Sequence, residues 1–347
     1  MNNIKLDFPI LDKKIRDKAI TYLDSAASTQ KPKQVINSIS EFLENSYENV
    51  HRGMNSLSID ATDLYEKSRD VAKNFINSNS TNEIIFTRGA TDSINIIANS
   101  LAEHLKEDDK IVVTELEHHS NYLPWMNLCK KLGLELKIIP ISKDGILSED
   151  DIINNCDDST KVLSLTHMSN VTGQILDIKK IKKSINKDTY VAVDGCQSIA
   201  HLKIDVKDLD CDFYSFSSHK LYGPSGIGIM YGKEDILNKL NPPTLGGGMI
   251  NEVSSNDFSY AMLPNKFEPG TPSIEAAIGF KTAMEYLTNN NYQDYFLNEK
   301  KLRSTLIKAL REFKEVDIYG SNEDGNATSI VSFNIKNQNF NDIATFL

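Results

Sequence analysis

The stretch FYSFSSHKLYGPSGIGIMYG, residues 213–232, decides the fold. An apolar strand runs into Ser217-Ser218-His219-Lys220, a Gly/Pro turn follows, and a second apolar run returns. Lys220, at the end of a buried strand, sits where an amine can be desolvated and become nucleophilic. Most lysines are solvated surface charges. Here the neighbouring Ser217, Ser218 and His219 supply phosphate donors beside the amine. The glycines at 223, 226 and 228 do not form a dinucleotide fingerprint, because strand formers (Ile229, Met230, Tyr231) follow where that motif needs a helix.

Outward from this segment, short apolar runs alternate with helix-period stretches. Residues 83–87 (EIIFT), 110–114 (KIVVT), 136–141, 162–166 and 190–193 read as buried strands. Residues 91–105, 122–132, 148–155 and 178–185 read as helices between them. The alternation predicts an α/β fold, with a parallel sheet covered on both faces and ligands beyond the carboxyl ends of its strands. From Thr271 the pattern changes to helices at 273–287 and 292–313 and strands at 316–319 and 329–335. This predicts a large domain over 22–272 and a smaller α+β domain from 1–21 and 273–347. Asn341 is expected to cap a helix opening at Asp342. That helix ends on Phe346-Leu347 within its first turns, so the small domain reads as incomplete.

Three further segments carry chemistry. In YVAVDGCQS (190–198), Asp194 ends a strand buried on both sides, and a carboxylate there needs a partner. A pyridinium N–H, a structural salt bridge and a helix N-cap all remain open for it. Gln197 could hydrogen-bond the phenolate oxygen of such a ring. In IIFTRGATDSINIIANSLA (84–102), Gly89, Ala90 and Thr91 place backbone N–H groups at a helix N-terminus, suited to a phosphate or to an ordinary βα turn. In VVTELEHHSN (112–121), His118 could stack on a flat cofactor and move protons, while His119 reads as structural. No metal-ligating spacing is present: there is no H-E-x-x-H and no C-x-x-C.

Composition narrows the classes. The 347 residues carry a formal net charge of -10, which argues against a nucleic-acid partner. The opening MNNIKLDFPILDKKIRDK interleaves charges with apolar residues, unlike a signal peptide. No run approaches the ~20 apolar residues of a membrane span. The four cysteines (Cys129, Cys156, Cys196, Cys211) are widely spaced, as suits reduced thiols in the cytoplasm.

Together these segments resemble the SUF-type cysteine desulfurases, of the class V aminotransferase group within the fold-type I pyridoxal-phosphate (PLP) enzymes. The resemblance rests on YLDSAASTQKP (22–32), NVHRGMNSLS (49–58), THMSNVTG (166–173), VDGCQS, LDCDFYSFSSHKLYGPSGIG (209–228) and FEPGTPS (267–273). It implies a fold-type I transferase with a mostly parallel mixed sheet, pyridoxal 5'-phosphate as cofactor, and removal of sulfur from L-cysteine to leave L-alanine. It further implies that Lys220 carries the cofactor and moves the Cα proton, with Asp194 on the ring nitrogen, Gln197 on the ring oxygen and His118 stacked on the ring. Ser217, His219 and Thr91, with Ala90 in the same turn, resemble phosphate ligands. Asn170 matches a substrate contact, Arg52 borders the site, and Thr271 resembles a residue that reaches the phosphate of the neighbouring subunit in a homodimer.

Ala90 stands where close relatives often have threonine, and Cys196 where they have alanine. The family's persulfide-forming cysteine, in an R-x-G-x-H-C motif, and a substrate-binding arginine lie beyond a segment like NDIATFL (341–347). Neither is among these residues, so sulfur transfer by them alone is expected to be impaired. The family also implies a SufU- or SufE-like sulfur acceptor in iron–sulfur cluster assembly. Selenocysteine lyase, another class V lyase or aminotransferase, and a non-catalytic dimerising subunit remain open alternatives.

Overall fold

The buried runs come together in a single sheet. The computed structural model describes residues 4–291, 293–320 and 327–346. Its strands are β1 (Ile84–Thr87), β2 (Lys110–Thr114), β3 (Glu135–Ile139), β4 (Thr160–Thr166), β5 (Tyr190–Asp194), β6 (Phe213–Ser217) and β7 (Gly228–Gly232). They lie in the order β1-β7-β6-β5-β4-β2-β3. The pairs from β6 through β3 are parallel, and β7 runs antiparallel to both its neighbours, β6 and β1. The sheet is therefore mixed but mostly parallel, as expected for this fold class.

Both faces are buried along the central strands, where the period of two sorts side chains between them. The buried run expected at 136–141 is corrected, because β3 is an edge strand in which Ile139 alone is buried and Glu135 and Ile138 are exposed. Val191, Val193, Tyr214 and Phe216 belong to one core, whereas Ala192 and Phe213 belong to the other. The helices of seven or more residues are α1 (Lys33–Asn45), α2 (Ser56–Phe75), α3 (Ala90–Leu101), α4 (His119–Leu132), α5 (Glu149–Asn155), α6 (Ile178–Ser184), α7 (Ile274–Asn289), α8 (Gln293–Leu310) and α9 (Phe340–Phe346). Ile94 and Ile97 of α3 and Trp125 of α4 cover the second face. Tyr65 of α2, Ile181 of α6 and Phe280 of α7 cover the first. Each fully buried residue of this kind contributes about 1.5–3 kcal/mol. The described helices include none long and apolar enough to cross a membrane.

Element ends follow local chemistry. Asn55 accepts the Ser58 N–H to start α2, and Ser148 accepts the Asp151 N–H to start α5. Gly133, with φ of 75°, closes α4 in the left-handed region. The helix expected to reach residue 105 stops at Leu101 and tightens into a 3-10 turn over Ala102–His104. The expected Asn341 cap is corrected: α9 opens at Phe340, and Asn339 accepts the Asn341 N–H at 2.8 Å. The expected strand at 329–335 shortens to β11, Ser332–Ile335, which pairs antiparallel with β10, Val316–Tyr319, once the Ile250–Val253 (β8) and Phe258–Tyr260 (β9) hairpin is counted. Tyr292, where the second late helix was expected to begin, and Leu347 lie outside the described residues.

Candidate active site

The carboxyl ends of β1, β2, β4, β5 and β6 all point the same way, and the candidate residues follow them. Lys220 ends the 3-10 turn Ser218–Lys220 that leaves β6, and Asp194 is the last residue of β5. His118 caps α4, just after β2. The charges of Lys220 and Asp194 both reach His118. Partial desolvation lowers the His118 pKa, the Lys220 charge lowers it further, and Asp194 opposes both. His118 Nδ1 accepts the Ser120 N–H at 3.1 Å and lies 2.7 Å from Ser120 Oγ, so a neutral ring carries its proton on Nε2. Thr91 Oγ1 donates to Ser120 Oγ at 2.9 Å, tying the start of α3 to this histidine.

Asp194 is 5% exposed. Its Oδ1 accepts the Cys196 N–H at 2.9 Å, and the Cys196 thiol also hydrogen-bonds this carboxylate. A buried carboxylate whose protein donors are neutral fits a cationic N–H partner. The backbone on either side is fixed, because the Asp194 carbonyl accepts the His167 N–H at 2.9 Å and Gly195 packs against Tyr214.

The phosphate-type cradle lies beside them. Gly89 precedes α3 with φ of 148°, and a Cβ on Gly228 would come 2.6 Å from Gly89 Cα, so two glycines allow β7 to lie against this turn. Gly89, Thr91, Ser217 and His219 line one cavity of about 890 Å³ at the N-terminus of α3. Ser217 Oγ accepts the Ala90 N–H at 2.8 Å, so this N–H is engaged within the turn. His219 is held below the usual histidine range by desolvation and by the charges of Lys220 and Lys31. The donor set fits a phosphate group.

The remaining candidates are placed elsewhere. Gln197 donates through Nε2 to the Ala26 carbonyl at 2.7 Å. Asn170 shares a cavity of about 500 Å³ with His118, Glu117 and Tyr319. Arg52 and Thr271 share another, of about 350 Å³, bordered by Gly247 and Glu268.

The class-V aminotransferase family model matches residues 21–347. The chain belongs to the class-V aminotransferase family. Members of this family work with PLP, and PLP is the cofactor of this chain. A probable cysteine desulfurase of Staphylococcus epidermidis (strain RP62A) is 43% identical over 341 residues, covering 98% of this chain and 82% of that one. A probable cysteine desulfurase of Staphylococcus aureus (strain N315) is 41% identical over 347 residues, covering 99% and 84%. Among solved structures, the apo cysteine desulfurase of Thermococcus onnurineus NA1 superposes with a TM-score of 0.92 at 33% identity, over 99% of this chain and 84% of that one. The Escherichia coli cysteine desulfurase CsdA gives 0.88 at 32% identity, over 98% and 84%.

Two groups near the site had no signal in the motifs. Glu117 sits below His118 with Oε1 accepting from Thr114 Oγ1 at 2.7 Å and from the Thr166 N–H at 3.0 Å, and Oε2 accepting from Asn121 at 2.5 Å. Burial pushes its carboxyl up to about 8 despite these bonds. Lys31 donates to the Thr29 carbonyl at 2.5 Å, and desolvation lowers it to about 8. A glutamate or lysine beside a motif looks in sequence like any surface charge.

Proposed function

We propose that this chain is a PLP-dependent cysteine desulfurase that removes sulfur from L-cysteine and leaves L-alanine. The observation that carries the reading is that Lys220, Asp194 and His118 stand at the same carboxyl edge of the sheet, after β6, β5 and β2, beside a phosphate-type cradle. Lys220 would hold the cofactor covalently and, once the substrate amine has displaced it, would accept the substrate Cα proton on its freed Nζ. Asp194 binds the ring nitrogen, Gln197 and His118 orient the ring, and Thr91, Ser217 and His219 with the Ala90 turn hold the phosphate. Bound there, PLP would supply an electron-accepting ring that stabilises negative charge at the substrate Cα. His118 keeps a proton on Nε2 for transfer at the reacting face.

Asn170 faces the substrate from the His118 cavity. Arg52 borders the substrate site, and Thr271, which lines the same cavity as Arg52, reaches the phosphate of the neighbouring subunit in a homodimer. Residues 22–272 then form the cofactor domain, with 1–21 and 273–347 in the smaller one. The sulfur passes to a SufU- or SufE-like acceptor for iron–sulfur cluster assembly in the cytoplasm. None of the four cysteines suits the accepting thiolate: Cys129 and Cys156 are pushed up to about 11 by burial, and Cys196 and Cys211 further. Sulfur transfer by residues 1–347 alone is therefore slow.

The test is the visible spectrum of the protein with PLP, before and after L-cysteine. A band that shifts with L-cysteine and is lost in Lys220→Ala supports the reading. A cysteine-insensitive band, or one that survives in Lys220→Ala, overturns it.

A further inference from the structure

The backbone around Lys220 is gripped by a loop from the start of the chain. The His219 carbonyl, which belongs to the peptide that leads into Lys220, accepts the Thr29 N–H at 3.0 Å and Thr29 Oγ1 at 2.9 Å. Ser28 Oγ and Lys31 Nζ approach the same oxygen at 3.3 Å each. On the other side of Lys220, the Tyr222 N–H donates to Thr29 Oγ1 at 2.8 Å.

The direction of these bonds follows from chemistry. A carbonyl can only accept and an N–H can only donate, so the one hydroxyl proton of Thr29 goes to His219 and its lone pair to Tyr222. Thr29 is 5% exposed, so water cannot readily replace it on either partner. Tyr222 also has φ of 61°, a left-handed conformation that costs a non-glycine residue energy unless its surroundings hold it. The turn itself has internal bonds, from the Leu221 and Gly223 N–H groups to the Ser218 carbonyl at 2.8 and 3.1 Å, but these engage neither the His219 carbonyl nor the Tyr222 N–H that flank Lys220.

The loop that carries Thr29 is itself anchored. Tyr22 OH donates to the Ser28 carbonyl at 2.5 Å, and Gln197 to the Ala26 carbonyl. A single loop thus holds Gln197 and both flanks of Lys220.

We infer that Thr29 is a positioning residue for Lys220: its hydroxyl clamps residues 219 and 222 and so sets where the lysine amine stands in the site. The inference rests on the reading of Lys220 as the residue that carries PLP. Substitution by valine keeps the shape and removes the hydroxyl, while serine keeps the hydroxyl.

The experiment compares wild type, Thr29→Val, Thr29→Ser and Lys220→Ala with added PLP. Borohydride fixes the covalently attached cofactor, and peptide mass spectrometry reads the rate and extent of modification at Lys220. Circular dichroism checks the fold. In Thr29→Val, attachment at Lys220 is expected to slow by about tenfold or more, with the secondary structure kept, while Thr29→Ser stays near wild type. Wild-type attachment in Thr29→Val overturns the role of Thr29 and leaves the reading of Lys220 intact. No attachment at Lys220 in wild type overturns that reading and this inference with it. If valine prevents folding, Thr29→Cys, with its weak S–H donor, takes its place: slowed attachment relative to Thr29→Ser supports the clamp, and equal attachment overturns it.

Discussion

Arg69 and Glu268 form a bidentate ion pair, Nη1 to Oε1 at 2.5 Å and Nη2 to Oε2 at 2.9 Å, buried between α2 and the loop that carries Thr271. The same carboxylate accepts the Phe86 N–H of β1 at 2.7 Å and Tyr65 OH at 3.1 Å. Glu268 thereby joins a helix, an edge strand and the 267–273 loop. Removing it leaves the guanidinium buried against Tyr65 and Phe86, still paired with Glu66 and bonded to the Ile84 carbonyl but with two N–H groups unsatisfied. Glu268→Ala is expected to cost about 2–3 kcal/mol. Urea unfolding measures it, and the double variant with Arg69→Met should lose less than the two single losses added.

Glu117 predicts a pH dependence with a definite sign. Burial raises its carboxyl to about 8, so the folded chain keeps a proton that the unfolded chain has already released. Between the ordinary carboxylate range and pH 8 the folded state binds more protons, and stability falls as pH rises through that window. Glu117→Gln has no proton to lose. Its Tm, whatever its offset, should fall less than that of wild type between about pH 5 and about pH 8. An equal slope in the two proteins would show that other groups govern this range.

Gly195 has no room for a side chain. A Cβ there would lie 2.0 Å from Tyr214 Cε1 and 2.3 Å from Cζ. Tyr214 cannot step aside, since it is fully buried and its hydroxyl lies 2.6 Å from Ser198 Oγ and 3.0 Å from His167 Nδ1. Gly195→Ala should cost roughly 3 kcal/mol and disturb Asp194 next to it. Adding Tyr214→Leu should recover part of the loss. A double-mutant cycle by thermal unfolding reads the coupling, and strict additivity would locate the strain elsewhere.

The thiols offer a chemical check. With Cys129 and Cys156 pushed up to about 11 and the other two further, very little thiolate is present at neutral pH. Iodoacetamide should modify all four at least about tenfold more slowly in the native chain than in urea. Rapid native labelling of any one, mapped by peptide mass spectrometry, would make that cysteine a sulfur acceptor to be reconsidered.

The large sheet and its strand ends were legible because each buried run is local, and a residue such as Asp194 or Lys220 stands out by closing an apolar strand. Ser217, His219 and Thr91 followed from their neighbours in the chain. Thr29 and the Arg69–Glu268 pair were not legible as site supports, because their partners lie far off in sequence, and Glu117 was not, because the burial that shifts it comes from the fold around it. Thr29 reaches across 190 residues to His219, and nothing in STQKP announces that contact. The α9 cap was misplaced for a smaller reason: Asn339 and Asn341 are equally good caps, and only the backbone path chooses between them.

The bond from Ala90 to Ser217 spans 127 residues, and β1 pairs in the sheet with β7 alone, the last of its strands in the chain. During synthesis, the first half of the cradle therefore waits for nearly the whole sheet before its second half exists. Non-local pairing of this kind is slow to form and exposes edges meanwhile. Anything that needs both halves of this cradle would therefore distinguish closed sheets from chains stalled partway, which lack the site.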